Sequence, residues 1–197
     1  MEQTTNTKST QKKTAAEMHR ISVEDFHKAD KTPLVVVLDN VRSQHNIGAV
    51  FRTADAFRLR KVVLCGISAC PPNQEIHKTA LGAEESVDWE YFGSTEEAVR
   101  SLRAEGYRIF SVEQVHHSIA LPDLERDDLG NGPVAVVLGH EVFGVSQAIV
   151  DMSDGCIEIP QQGTKHSLNV SVAAGIVLYS VSQLLSERNQ TRETTTP

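Results

Sequence analysis

Leu34-Val35-Val36-Val37-Leu38 is an unbroken run of apolar, mostly β-branched residues introduced by Pro33, and it constrains the fold more than any other segment. A strand with one wet face alternates apolar and polar residues, whereas a run without alternation needs cover on both faces. Residues 61–66, 87–92, 107–112, 133–138 and 155–159 read as further strands. Between them lie helical segments. Residues 46–57 carry Ile47, Val50, Ala54 and Phe57 at helical spacing, with Asn46 placed as the cap. Ser94-Thr95-Glu96-Glu97 is a capping box, and Gly106 closes the helix that follows. A short helix near 146–152 and a last one at 168–185 complete the pattern.

Strands alternating with helices predict an α/β protein with a mostly parallel sheet and helices on both faces. The pattern supports one compact domain at residues 31–186. Residues 1–30 read as a flexible extension with a short helix within 16–28, and 187–197 as a disordered tail. The N-terminus shows no secretory signal, and no apolar run approaches the ~20 residues of a membrane span. Cys65, Cys70 and Cys156 match no zinc pattern and read as reduced thiols, which points to a cytoplasmic protein. The eight histidines lack ligand spacing as well, so no metal is expected.

Three short segments rich in Gly, Pro and Asn lie close together near the C-terminal end: 138–144, 159–163 and 167–171. The first two follow strands and the third opens a helix, which is how an α/β sheet builds a crevice at the carboxyl ends of its strands. A pocket walled largely by backbone favours a small cofactor. Neither the dinucleotide glycine fingerprint nor the phosphate-loop motif is present, and there is no nucleophile elbow. The polar residues left at these loops are Glu141, Ser167 and Asn169, together with Asn46 and Arg52. Each has a plain structural alternative: Asn46 and Ser167 as helix caps, Arg52 as the partner of Asp55 one turn on.

The net charge of -7 does not suggest a nucleic-acid binder, but charge is uneven along the chain. Residues 42–61 hold Arg42, Arg52, Arg58, Arg60 and Lys61 against the single acid Asp55. In the last helix, Leu168, Val172, Ile176 and Tyr179 form one stripe while other faces are also apolar. Two readings stand: the helix is sandwiched inside the domain, or it also faces a second subunit.

Asn46-Ile47-Gly48-Ala49-Val50-Phe51-Arg52-Thr53-Ala54-Asp55-Ala56-Phe57 closely resembles the first motif of the SpoU/TrmH family of RNA 2′-O-ribose methyltransferases, in the SPOUT superfamily. Leu138-Gly139-His140-Glu141-Val142-Phe143-Gly144 resembles the second motif, and Ile159-Pro160 through Ser167-Leu168-Asn169-Val170-Ser171-Val172-Ala173-Ala174 the third. The three occur in family order. The resemblance implies a deep C-terminal trefoil knot, a homodimer, and S-adenosylmethionine held mainly by backbone at Gly139, Ile159 and Leu168, with Leu138, Gly144, Gln161 and Ser167 also at the cofactor. It implies methyl transfer to a ribose 2′-hydroxyl of tRNA or rRNA, with Arg52 catalytic and Asn46, Glu141, Ser167 and Asn169 around it. Only some thirty residues precede the first strand, too few for an added RNA-binding domain, so RNA contact is expected at Arg42, His45, Arg52, Arg58, Arg60 and Lys61. Two other readings keep the fold: a non-catalytic RNA-binding or assembly factor, and a methyltransferase acting on a base.

Overall fold

The computed structural model of the chain describes residues 12–14 and 16–193. The expectations for the rest of the first fifteen residues and for 194–197 fall outside the described residues. The elements run α1 (Val23–Lys28), β1 (Thr32–Asp39), α2 (Gln44–Ala56), β2 (Leu59–Cys65), α3 (Gln74–Ala80), α4 (Ala83–Ser86), β3 (Trp89–Phe92), α5 (Thr95–Ala104), β4 (Arg108–Val112), β5 (Ile119–Ala120), β6 (Val134–Leu138), α6 (Gln147–Met152), β7 (Gly155–Glu158) and α7 (Val170–Glu193). The strands form one sheet in the order β3-β2-β1-β6-β4-β7-β5. Every neighbouring pair is parallel, so all strand carboxyl ends share one edge.

Strand β1 lies inside the sheet between β2 and β6, and every residue from Leu34 to Asp39 is buried. Alternate side chains enter opposite layers. Leu34, Val36 and Leu38 join a core with Ile47, Phe51 and Val177, while Val35 and Val37 pack with Val99, Leu102 and Ile149. Helices α2 and α7 cover the first face, α5 and α6 the second. Each fully buried Val or Leu stabilises by roughly 1.5–3 kcal/mol, so this doubly covered run anchors both layers.

Several element ends differ from the sequence expectation. The stretch 16–28 is divided into a 3-10 turn at Ala16–Met18 and α1, because Ser22 takes an extended conformation and caps α1 through Asp25 N–H. Helix α2 is capped by Ser43, whose hydroxyl accepts from the Asn46 N–H, so Asn46 lies in the first turn and is not the cap. Helix α7 starts at Val170, and Asn169, not Ser167, caps it. The Asn169 Oδ1 accepts from Ser171 N–H (2.9 Å), and its carbonyl from Ala173 N–H (2.9 Å). The helix runs to Glu193, into the expected disordered tail, since no Gly or Pro interrupts 186–193. The capping box at Ser94 and the left-handed Gly106 bound α5 as expected.

Gly48 fixes how closely α2 meets α3. A β-carbon there would lie 2.1 Å from Thr79 Oγ1 and 2.3 Å from the Ile76 carbonyl oxygen. Gly48→Ala should therefore cost about 1–3 kcal/mol of stability, read as a lower urea midpoint at unchanged slope. An unaltered midpoint would show that the two helices separate freely.

Candidate active-site crevice

The loops after β4, β6 and β7 enclose a cavity of about 440 Å³ at the carboxyl edge of the sheet. Leu138, Gly139, Gly144, Ile159, Gln161, Ser167 and Leu168 all line it, so the seven residues expected at the cofactor converge. Glu141 lies in the same wall. Sequence reasoning missed residues 112–115, which form the opposite wall after β4. A polar loop between two strands carries no signal of its own.

The second-motif loop folds back on itself. His140 and Gly144 form an antiparallel bridge, their N–H groups donating to each other's carbonyls at 3.1 and 2.8 Å. Gly139 makes this turn feasible, because a β-carbon there would lie 2.1 Å from the Gly144 carbonyl carbon. The Glu113 carboxylate accepts from Val145 N–H (2.9 Å), tying the loop to the end of β4. Gln114 Nε2 donates to the His166 carbonyl (2.9 Å), which brings in the third motif. The backbone N–H and C=O groups of Gly139, Ile159 and Leu168 have no hydrogen-bond partner among the described residues. Main-chain groups at the crevice wall without a protein partner are open to water or to a polar ligand. With the apolar walls from Leu138, Ile157 and Ala173, they suit a flat heteroaromatic group with hydrogen-bonding edges.

Glu141 joins the three motifs. Its carboxylate accepts from the N–H groups of Arg42 (3.0 Å) and Ser43 (2.8 Å) and from Asn46 Nδ2 (3.2 Å). The Asn46 Oδ1 in turn accepts from Asn169 Nδ2 (3.2 Å) and Ser171 Oγ (3.4 Å). Partial burial pushes the Glu141 carboxyl up, but the Arg42 and Ser43 N–H groups, its own N–H and the Asn46 amide outweigh burial, and the net effect lowers it. Asn46, Glu141 and Asn169 are therefore one hydrogen-bonded unit beside the crevice.

Arg52 lies elsewhere. It is exposed on α2 and does not line the crevice of its own chain. Its alternative reading as the partner of Asp55 is not realised; Asp55 Oδ1 accepts from Ser86 Oγ (2.6 Å) instead. Arg52 has no hydrogen-bond or ion-pair partner among the described residues. It stands between two surface depressions, one shared with Ala49, Thr53 and Gly175 of α7, the other with Arg20 and Arg58.

The remaining basic residues do not form one patch. Arg42 and His45 follow β1 at the carboxyl edge, whereas Arg58, Arg60 and Lys61 sit at the amino end of β2. A seven-residue strand puts roughly 20 Å between the groups. Lys61 is also neutralised by Glu90 (2.9 Å) and Glu105 (3.7 Å), and His45 Nε2 lies 2.9 Å from Glu75.

The sequence profile of the SpoU rRNA Methylase family matches residues 33–179. The chain belongs to this family. Among its SpoU relatives, the 23S rRNA (guanosine-2′-O-)-methyltransferase RlmB of Vibrio parahaemolyticus is 32% identical over 178 residues, 89% of this chain and 70% of that protein. The tRNA (guanosine(18)-2′-O)-methyltransferase of Thermus thermophilus is 28% identical over 85% of this chain and 83% of its own. The A. aeolicus TrmH/SpoU tRNA modifying enzyme matches the SpoU fold described here with a TM-score of 0.72 and 26% identity, covering 85% of this chain and 84% of that one. An AdoMet-bound rRNA methyltransferase from Sinorhizobium meliloti matches with a TM-score of 0.71 and 25% identity, covering 80% and 59%.

The Glu141 linkage has a pH signature. A carboxyl held below its ordinary 4.5 stabilises the fold fully above that value and loses the contribution as pH falls through the lower folded value. Glu141→Gln should cost about 1–2 kcal/mol at pH 7, and the gap to the parent should close as pH drops below about 4 in thermal melts. A gap independent of pH would place the effect outside the charge.

Proposed function

We propose that this protein is an S-adenosylmethionine-dependent RNA methyltransferase that methylates a ribose 2′-hydroxyl of tRNA or rRNA. Family membership gives the reaction class. The crevice, where Gly139, Ile159 and Leu168 leave backbone groups unpaired, carries the reading. These groups would hold the cofactor, with Leu138, Gly144, Gln161 and Ser167 completing the walls. Bound there, S-adenosylmethionine supplies a methyl group already activated on a sulfonium. The chain's own task is to hold that methyl group away from water and bring the hydroxyl into line. Asn46, Glu141 and Asn169 keep the three loops in register around the crevice.

Arg52 is the catalytic cation, clamping the phosphate and the developing alkoxide while staying protonated. It does not line the crevice of its own chain, so the reading includes a homodimer. Its support is the stripe Val172, Ile176 and Tyr179, exposed by 51, 39 and 54% on a helix whose opposite face is buried; Leu168, expected in the same stripe, precedes the helix and lines the crevice instead. Apolar residues at successive turns, left wet, mark an interaction surface. Gly175 lies in this stretch and shares a depression with Arg52, so a partner seated on the stripe reaches the guanidinium.

The proposed trefoil knot has topological support. Strand β7 lies beyond β4, yet α7 packs eleven residues later with α2 and β1, and the connection between is tied to Gln114 and Asn46. No helix of the described residues is long and apolar enough to cross a membrane, which accords with a cytoplasmic enzyme.

Arg52→Ala should abolish tritium transfer from labelled S-adenosylmethionine to RNA from a strain lacking the gene, while calorimetry shows nearly unchanged cofactor affinity. Near-normal turnover would end the assignment of Arg52. Ile176→Asp should give monomers in sedimentation and remove transfer in parallel; an active monomer would refute the shared site.

A further inference from the structure

Arg52 forms one wall of a groove of about 790 Å³ between the turn before α1, the second half of α2 and the α3–α4 junction. Three arginines separated in sequence, Arg20, Arg52 and Arg58, line it, and none of their guanidinium groups has a hydrogen-bond or ion-pair partner among the described residues. Two acids, Asp55 and Glu85, also line the groove, so three guanidinium groups face two carboxylates, one of which accepts from the Ser86 hydroxyl. Met18, Ile21 and Leu81 add exposed apolar surface, 45, 49 and 64% accessible. Unpaired guanidinium groups next to apolar surface match a strand of alternating phosphates and flat bases. A chain with net charge -7 repels polyanions at long range, so RNA approaches productively only where cations are locally uncompensated.

We propose that this groove is the track along which a single-stranded RNA segment flanking the methylated nucleotide lies, with Arg20 and Arg58 holding phosphates on the side of Arg52 away from α7. Residues 18–21 thereby become part of the RNA site, and the basic residues at the far end of Arg52 gain a role that Arg42 and His45, at the opposite sheet edge, do not share. The proposal rests on Arg52 serving RNA methyl transfer.

The test uses the full chain and its Arg20→Gln/Arg58→Gln variant, leaving Arg52 intact, with Arg20→Gln alone as a second variant on an exposed turn. Arg100→Gln on α5, across the sheet, is the control. Fluorescence anisotropy with a labelled 12-nucleotide oligouridine is measured from low to high KCl. The double variant should bind on the order of tenfold more weakly, and its slope of log K against log salt should shrink by about 1.4, about 0.7 for each lost contact. Cofactor affinity and the Arg100→Gln curve should match the parent. Unchanged affinity and slope in both variants, while the parent binds and methylates RNA, would overturn the groove and leave the methyltransferase reading intact. A parent that binds the oligonucleotide with the expected variant losses but methylates no RNA would instead overturn the reading and keep the groove. Equal competition by a 12-residue oligoglutamate would mark a site for acidic protein segments and reject the proposal.

Discussion

The carboxylate of Glu141 fastens the working edge of this sheet. It accepts from two consecutive backbone N–H groups ahead of α2 and from the Asn46 amide, which leads on to Asn169 and Ser171 at the start of α7. Three segments that are 95 or more residues apart in places are thereby held at hydrogen-bond distance. Parallel strands alone do not achieve this, because each strand end releases its loop independently. Without a charged acceptor at this point, the N–H groups of exposed Arg42 and half-buried Ser43 would lose their partner. An amide side chain offers one acceptor oxygen where the carboxylate offers two, so the linkage is specific to the acid.

With the loops fixed, the crevice needs little from side chains. Gly139 lets the 140–144 turn close on itself, and the unpaired polar groups at Gly139, Ile159 and Leu168 are all main chain. The side chains of His140 and Gln161 therefore matter less to the pocket than the course of the main chain. A backbone site is defined by the path of the chain, and the path is set by glycines, by Pro160 and by the Glu141 linkage.

The same distinction decides what could be read from sequence. The continuous run at 34–38, the capping box at Ser94 and the glycine-marked loops state their structure locally, and the fold class and the crevice wall follow from them. Helix starts were less legible. Ser43 and Asn46 are both good caps, as are Ser167 and Asn169, and tertiary bonds to Glu141 and Asn46 select between them. Helices α3 and α4 are too short for periodicity to show, although Asn73 caps the first by accepting from Glu75 and Ile76 N–H. The basic stretch 42–61 looks like one patch in one dimension, but β2 separates its halves, and Glu90 and Glu105 neutralise Lys61 from distant positions. Arg20 gave no local sign at all, since its relation to Arg52 exists only through the packing of α1 against α4.

Arg52 brings these threads together. A cation on a surface helix normally finds a carboxylate within a turn, and Asp55 is at the right spacing, yet Ser86 takes that carboxylate and the guanidinium remains free. It stands on the ridge between a depression that reaches α7 and a groove that reaches the N-terminal segment. Under the proposed function, the exposed apolar stripe of α7 on the first side receives a second subunit that carries its own crevice, and Arg20 and Arg58 on the second receive the RNA. A guanidinium unpaired at the junction of these two surfaces fits a site assembled from two chains and one RNA.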